Sequence, residues 1–377
     1  MTANPLQRLH ELGQSIWYDY IRRDLFSSGK LERLIREDAL TGMTSNPTIF
    51  QKAIAEGELY DEDIRRLGGE GLETHRVFEG LAVDDVRTAA DFFRPVYDST
   101  GGDDGFVSIE VGPHLALDTK GTIEEARRLW KECDRGNVMV KIPGTKEGVP
   151  AIRQCLEEGI NINITLLFSV PRYREVMEAY LAALEARAKA GKSLDRIRSV
   201  ASFFVSRVDT MTDKKLDAKA SGGSQRERTL AKNLRGKLGI ANARIAFQAF
   251  EEIFGGSRFE GLAKKGVRRQ KPLWASTSTK DPALPDLYYV EALVAPDTVD
   301  TMPPETLEAY RDHGDPKVRI HDDLAGAHSV LRGIAELGID EKEIFRDLED
   351  EGIRKFSDSY DSLIRTLADK QKAVGVA

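Results

Sequence analysis

Residues Asn137–Gly144 read NVMVKIPG and set one lysine, Lys141, inside a run of apolar and β-branched residues: Val138, Met139, Val140, then Ile142 and Pro143. Such a run has the composition of a buried strand, and Pro-Gly ends it. Lysine is rarely buried without a reason. Desolvation disfavours an ammonium ion, and a neutral lysine amine is a nucleophile toward carbonyls, the chemistry of a Schiff base. The plainer alternative is a strand-end lysine whose stem is buried while its charge reaches solvent or a carboxylate. The octapeptide alone leaves both open.

Outward from this stretch, short apolar runs alternate with long amphipathic ones. Strands are expected at 15–20, 39–46, 105–112, 137–144, 160–168, 198–207, 271–278 and 288–295. Helices are expected over 21–37 with a Ser-Ser-Gly break, over 49–100 in more than one piece, and at 121–135, 147–158, 171–190, 321–336 and 340–373. Pro47 takes the first position of the helix that follows the second strand. The polar segment 211–225, MTDKKLDAKASGGSQ, reads as an exposed loop or insertion. Eight strands separated by helices favour a parallel sheet with crossovers, and eight is the number that closes a (β/α)8 barrel. An open doubly wound sheet is the alternative, but no glycine-rich dinucleotide turn follows any strand. The expectation is one α/β barrel domain over residues 1–377, with extra helices at both ends.

Composition narrows the classes of function. The 377 residues include 55 basic and 62 acidic side chains, a net charge of −7, which leaves no electrostatic footprint for nucleic acid or an anionic membrane. Cys133 and Cys155 lack a metal spacing and fit a reducing compartment. The N-terminus has no apolar core of signal-peptide length, and no apolar run approaches the ~18 residues of a membrane span. A cytoplasmic protein is expected. His114, His321 and His328 have no convincing ligand spacing, and no metal is expected.

Nearly every expected strand carries a polar residue near its C-terminal end: Asp19, Asn46, Glu110, Lys141, Thr165, Ser202 with Arg207, and Ser276 with Ser278. In a barrel these positions share one mouth. Each alone has an ordinary explanation as a helix cap, a turn residue, a strand former or a surface ion pair. Together they supply an amine, two carboxylates, hydroxyls and a guanidinium. An amine that attacks a ketone must lose water, which needs a proton donor and a hydroxyl to hold the water; Glu110 and Thr165 suit these parts. The imine is an electron sink for cleavage of the adjacent carbon–carbon bond, with Asp19 as base. Arg207 has the geometry of a phosphate ligand, helped by serine hydroxyls. The chemistry is Schiff-base aldol chemistry on a phosphorylated sugar.

The chain resembles the transaldolases, in their longer bacterial branch. The resemblance rests on TSNPTIF (44–50), VSIEV (107–111), VMVKIPGT (138–145), INITLLFS (162–169), SFFVSR (202–207), LWASTSTK (273–280) and YYVEALVAPDTVDTMP (288–303). It implies that Lys141 is the Schiff-base lysine, Asp19 the acid/base aspartate, and Glu110 and Thr165 the pair that handles a catalytic water. Asn46, Asn163 and Ser202 would bind the dihydroxyacetone unit, Phe204 would form an aromatic wall, and Arg207 and Ser276 would hold phosphate. Two departures stand out. Ser202–Arg207 reads SFFVSR where shorter members have SPFVGR, and Ser278 stands where they have a second phosphate arginine, with Lys280 nearby to supply charge. The resemblance implies transfer of dihydroxyacetone from sedoheptulose 7-phosphate or fructose 6-phosphate to glyceraldehyde 3-phosphate or erythrose 4-phosphate, in the non-oxidative pentose phosphate pathway. It implies no cofactor, phosphorylated sugars as the partners, and a monomer or homodimer. A related aldolase group that releases free dihydroxyacetone carries glutamine and tyrosine where Glu110 and Phe204 stand, and both residues favour transfer.

Overall fold

The computed structural model describes residues 4–376. Eight parallel strands close into a barrel in chain order: β1 Gln14–Asp19, β2 Leu40–Thr44, β3 Phe106–Glu110, β4 Val138–Pro143, β5 Ile162–Leu167, β6 Ser199–Phe204, β7 Lys271–Ala275 and β8 Thr298–Met302. Helices connect them and form the outer layer, so the fold is a (β/α)8 barrel with added terminal helices. Residues alternate between the two faces of each strand. Ile16, Tyr18, Met43, Val107, Ile109, Val140, Ile142, Ile162 and Ile164 pack outward against the helices. Trp17, Phe106, Met139, Val200, Leu273 and Val299 point inward and plug the lower barrel. Two residues further along the same strands stand Asp19, Ser108, Lys141, Ser202 and Thr301. The period of two thus converts an apolar floor into a polar mouth.

The plug depends on one glycine. A Cβ at Gly42 would lie 2.5 Å from Trp17 Nε1, so only glycine lets the indole cross the barrel axis there. The indole N–H donates to Asp104 Oδ1 at 3.0 Å, which satisfies the one polar atom the plug carries in.

Two segments differ from the sequence reading. The eighth strand is not 288–295: Tyr288–Ala292 is a helix, and the strand is Thr298–Met302. Tyr289, Val290, Leu293 and Val294 are buried at helical spacing, whereas TVDTM hides a strand behind three polar residues. The segment 211–225 is not a loop. Most of it lies in helix Ser206–Gly222, where Val208, Thr212 and Leu216 form a buried stripe four residues apart. The next helix, Gln225–Leu234, starts at Ser224 in a capping box with Glu227. Asp209 ties the first helix down by accepting from Gly239 N at 2.7 Å and from the Tyr289 hydroxyl at 3.0 Å.

The polar residue that disguises β8 is itself informative. Asp300 is fully buried, and Oδ1 accepts from Thr277 Oγ1 at 2.8 Å while Oδ2 has no protein partner. Burial pushes its carboxyl up to about 7. The folded chain therefore binds this proton more tightly than the unfolded one. The stabilisation is complete below about pH 4 and is lost as pH rises through about 7. The gap corresponds to about 4 kcal/mol. Asp300→Asn is expected to stabilise the chain at pH 8 relative to pH 4, by up to that amount, in urea unfolding measured at both pH values.

Among the described residues no helix is long and apolar enough to cross a membrane. Both cysteines are free and buried, and burial pushes each thiol up to about 12.

Candidate active site

The C-terminal ends of the strands open into a cavity of about 1020 Å³, large enough for a sugar phosphate. Lys141, the centre of the opening octapeptide, lines it from β4 with 9% of its surface exposed. The parallel register puts Glu110 of β3 directly beside it, and Lys141 Nζ lies 2.7 Å from Glu110 Oε1. Burial raises the Glu110 pKa above the usual carboxylate range, and the neighbouring Lys141 charge opposes that rise. Glu110 Oε2 is buried without a protein partner. A carboxyl in this state can pass a proton to or from a neighbour.

On the other side of Lys141, Asn163 of β5 is its register partner. Two residues on, Thr165 lines the cavity, and the strand then bulges: Leu166 has φ +58° and the β5–β6 register slips after Ile164. The bulge sends Leu166 toward the C-terminal helix Glu341–Ala373, where Gly352 allows close approach; a Cβ there would lie 3.0 Å from Leu166 Cδ2.

Asp19 lines the same cavity from β1, three strands away around the barrel. Its Oδ1 accepts from Thr44 Oγ1 at 2.8 Å, and Thr44 Oγ1 lies 2.8 Å from Thr301 Oγ1. With the Thr44 proton committed to Asp19, Thr301 is the donor in the second bond. A two-hydroxyl chain from β8 through β2 thus aims one carboxylate oxygen. Thr44 and Thr301 were missed in the sequence, Thr44 for want of charge and Thr301 because β8 was displaced.

Asn46 caps helix Pro47–Ala55 by accepting from Ile49 N at 3.1 Å, and it also lines the cavity. Ser202, Phe204, Arg207, Ser276, Ser278 and Lys280 line it from the β6 and β7 side. Phe204 packs on Phe168 with centroids 5.2 Å apart, and the Arg207 guanidinium lies over the Phe204 ring at 5.0 Å. Ser276 has φ +57°, and its hydroxyl is 2.9 Å from that of Ser206, a brace not read in the sequence. Lys280 sits in an exposed loop held by Thr279, whose hydroxyl donates to Pro285 O and Asp286 O. Of the residues named from the sequence, only Asn163 is absent from the cavity wall. Its side chain is fully buried below, donating to Ser108 Oγ at 3.0 Å and accepting from Ser202 Oγ at 2.7 Å. The histidines lie elsewhere: His114 contacts Asp361 and His321 contacts Glu251, both at exposed positions.

An inward lysine paired to a buried glutamate at the mouth of a parallel barrel, with a second carboxylate opposite, defines an α/β-barrel of the kind that can run imine chemistry on a bound carbonyl. The comparison with known proteins is more specific. Residues 16–367 match the family model described as Transaldolase/Fructose-6-phosphate aldolase, and the chain belongs to that family. Curated relatives are similar along their whole length. A protein named Transaldolase from Thermobifida fusca is 49% identical over 98% of this chain and 99% of its own. Transaldolase 1 from Streptomyces avermitilis is 48% identical over 99% of this chain and 97% of its own. A Transaldolase from Saccharopolyspora erythraea is 48% identical, over 98% and 99%.

Proposed function

We propose that the chain is a transaldolase that moves a dihydroxyacetone unit from sedoheptulose 7-phosphate or fructose 6-phosphate to glyceraldehyde 3-phosphate or erythrose 4-phosphate. The observation that carries this reading is the buried Lys141–Glu110 pair facing a sugar-sized cavity that Asp19 also lines. The Lys141 amine adds to the ketone carbonyl, and Glu110 with Thr165 manages the water lost from the carbinolamine. Asp19 takes the proton from the C4 hydroxyl as the C3–C4 bond breaks, so the first aldehyde leaves. The electron pair is held as an enamine on Lys141 until the acceptor aldehyde arrives. Reversal of the same proton transfers then releases the new ketose. Asn46, Asn163 and Ser202 bind the dihydroxyacetone unit, Asn163 from beneath through Ser202. Phe204 walls the site, and Arg207, Ser276 and Lys280 take the phosphate. The reading includes a single barrel domain, a cytoplasmic location, and a monomer or homodimer.

Two features of the site favour transfer over release of free dihydroxyacetone. They are the carboxyl at Glu110, where the aldolase group carries glutamine, and the phenyl ring at Phe204, where it carries a phenol. The test is a partition measurement: fructose 6-phosphate is supplied with and without erythrose 4-phosphate. Transfer to erythrose 4-phosphate is expected to outrun release of dihydroxyacetone. Release that is faster than transfer would assign the chain to the aldolase side of its family.

A further inference from the structure

Two helices extend the cavity wall beyond the strand ends. Helix Ser206–Gly222 turns Arg207, Met211 and Lys214 to it, and the C-terminal helix Glu341–Ala373 turns Glu351 and Lys355. Spacings of four and seven residues put each set on one helix face. Asp358 lines the cavity from the same helix, but the carboxylate paired with a cation on these faces is Glu351. Burial lowers the Arg207 pKa, and the negative charges of Glu351, Asp19 and Glu110 oppose that fall. Glu351 is also ion-paired with Lys355, one turn further along, and it lies within the fields of Lys214 and Arg354. Its side chain is 28% exposed, against 11% for Lys141 and Glu110, so it stands nearer the rim.

We infer that Glu351 is a tethered counter-ion at the phosphate position, competing with the substrate's phosphate for Arg207, Lys355 and Lys214. This inference rests on the reading of Arg207 as a phosphate ligand. A cluster of cations without a counter-charge repels itself and holds a dianion tightly. A carboxylate fixed among them relieves the repulsion in the empty site. It also opposes the arriving phosphate, which limits how tightly product is retained. When phosphate binds, Lys355 and Lys214 turn from Glu351 toward it, since lysine is a flexible point charge. The C-terminal helix thereby sets the affinity for phosphorylated sugars without touching the reacting carbons.

The probe is inorganic phosphate, used as a competitive inhibitor against fructose 6-phosphate. Glu351→Gln is expected to lower its inhibition constant about two- to fivefold, and Lys355→Met to raise it by a similar factor, the range of partly exposed ion pairs. Both effects shrink as sodium chloride is raised. A role confined to helix stability would change the melting temperature of both variants and leave the inhibition constant unmoved. An unmoved or raised constant in Glu351→Gln, or no phosphate inhibition in any of the proteins, overturns the inference. Borohydride trapping of fructose 6-phosphate on the wild type, run on the same preparations, separates the two layers. An adduct with unmoved inhibition constants sinks only the counter-ion, whereas no adduct sinks the functional reading and the counter-ion with it.

Discussion

Lys141→Ala is expected to lower kcat by on the order of 10⁴-fold, because no other amine at the mouth shares its position beside Glu110. The effect falls on chemistry, since the phosphate ligands remain. The variant has a second signature. Lys141 is the charge that most opposes the rise in the Glu110 pKa. With it gone, the buried glutamate is more firmly protonated in the folded chain and has lost its partner. A carboxyl with a raised folded pKa contributes stability at low pH that is lost as pH climbs through that pKa. Lys141→Ala is therefore expected to lose stability toward alkaline pH more steeply than the wild type. Unfolding curves at several pH values, beside single-turnover rates, check both parts. Lys141→Met should behave alike in rate, which excludes a cavity as the cause.

Asp19→Asn is expected to lower kcat by about 10²- to 10⁴-fold, the range for a positioned general base. Its distinctive consequence is where the reaction stops. The proposed mechanism assigns imine formation to Lys141, Glu110 and Thr165, all on β3 to β5, and carbon–carbon cleavage to Asp19 on β1. The variant should accumulate the imine of the intact ketose. Borohydride should then fix a six-carbon phosphorylated adduct from fructose 6-phosphate in place of a three-carbon one, and mass spectrometry of the peptide distinguishes them. Asparagine keeps the oxygen that accepts from Thr44, so the fold should hold. A three-carbon adduct formed at the wild-type rate would remove Asp19 from the cleavage step.

The parts of this fold that were legible in the sequence share a cause. In β4 and β5 the residues facing the helices are Val140, Ile142, Ile162 and Ile164, and near-continuous apolar runs announce strands buried on both faces. Their inward polar residues, Lys141 and Thr165, stood out against that background. β8 was illegible for the opposite reason. Thr298, Asp300 and Thr301 each find a tertiary hydrogen-bond partner, so their burial could not be read from polarity, and the neighbouring helix Tyr288–Ala292 imitates a strand by composition. Helix Ser206–Gly222 was obscured in the same way, because its lysines face the cavity and solvent while only a narrow stripe is apolar.

The site shows the same division. Charged residues at strand ends could be gathered from their place in the chain, because a barrel has one C-terminal mouth. The hydroxyls that aim them could not. Thr44 and Thr301 act on Asp19 across pairs of strands, and Ser206 braces Ser276 over a separation of 70 residues. The resemblance implies that Asn163 binds the dihydroxyacetone unit; the structure puts it in register with Lys141 but beneath the cavity, where it reaches the wall through Ser202. The contribution of Glu351 and Lys355 lay outside any strand pattern, since the C-terminal helix returns to the mouth only through tertiary packing.

The central claim is that Lys141 forms the covalent intermediate, and borohydride reduction during turnover of fructose 6-phosphate tests it most directly. Peptide mapping of the reduced protein should find one lysine carrying the three-carbon unit, in the peptide that contains NVMVKIPG. An adduct on a different lysine, or an unmodified protein after inactivation by substrate and borohydride together, would contradict it.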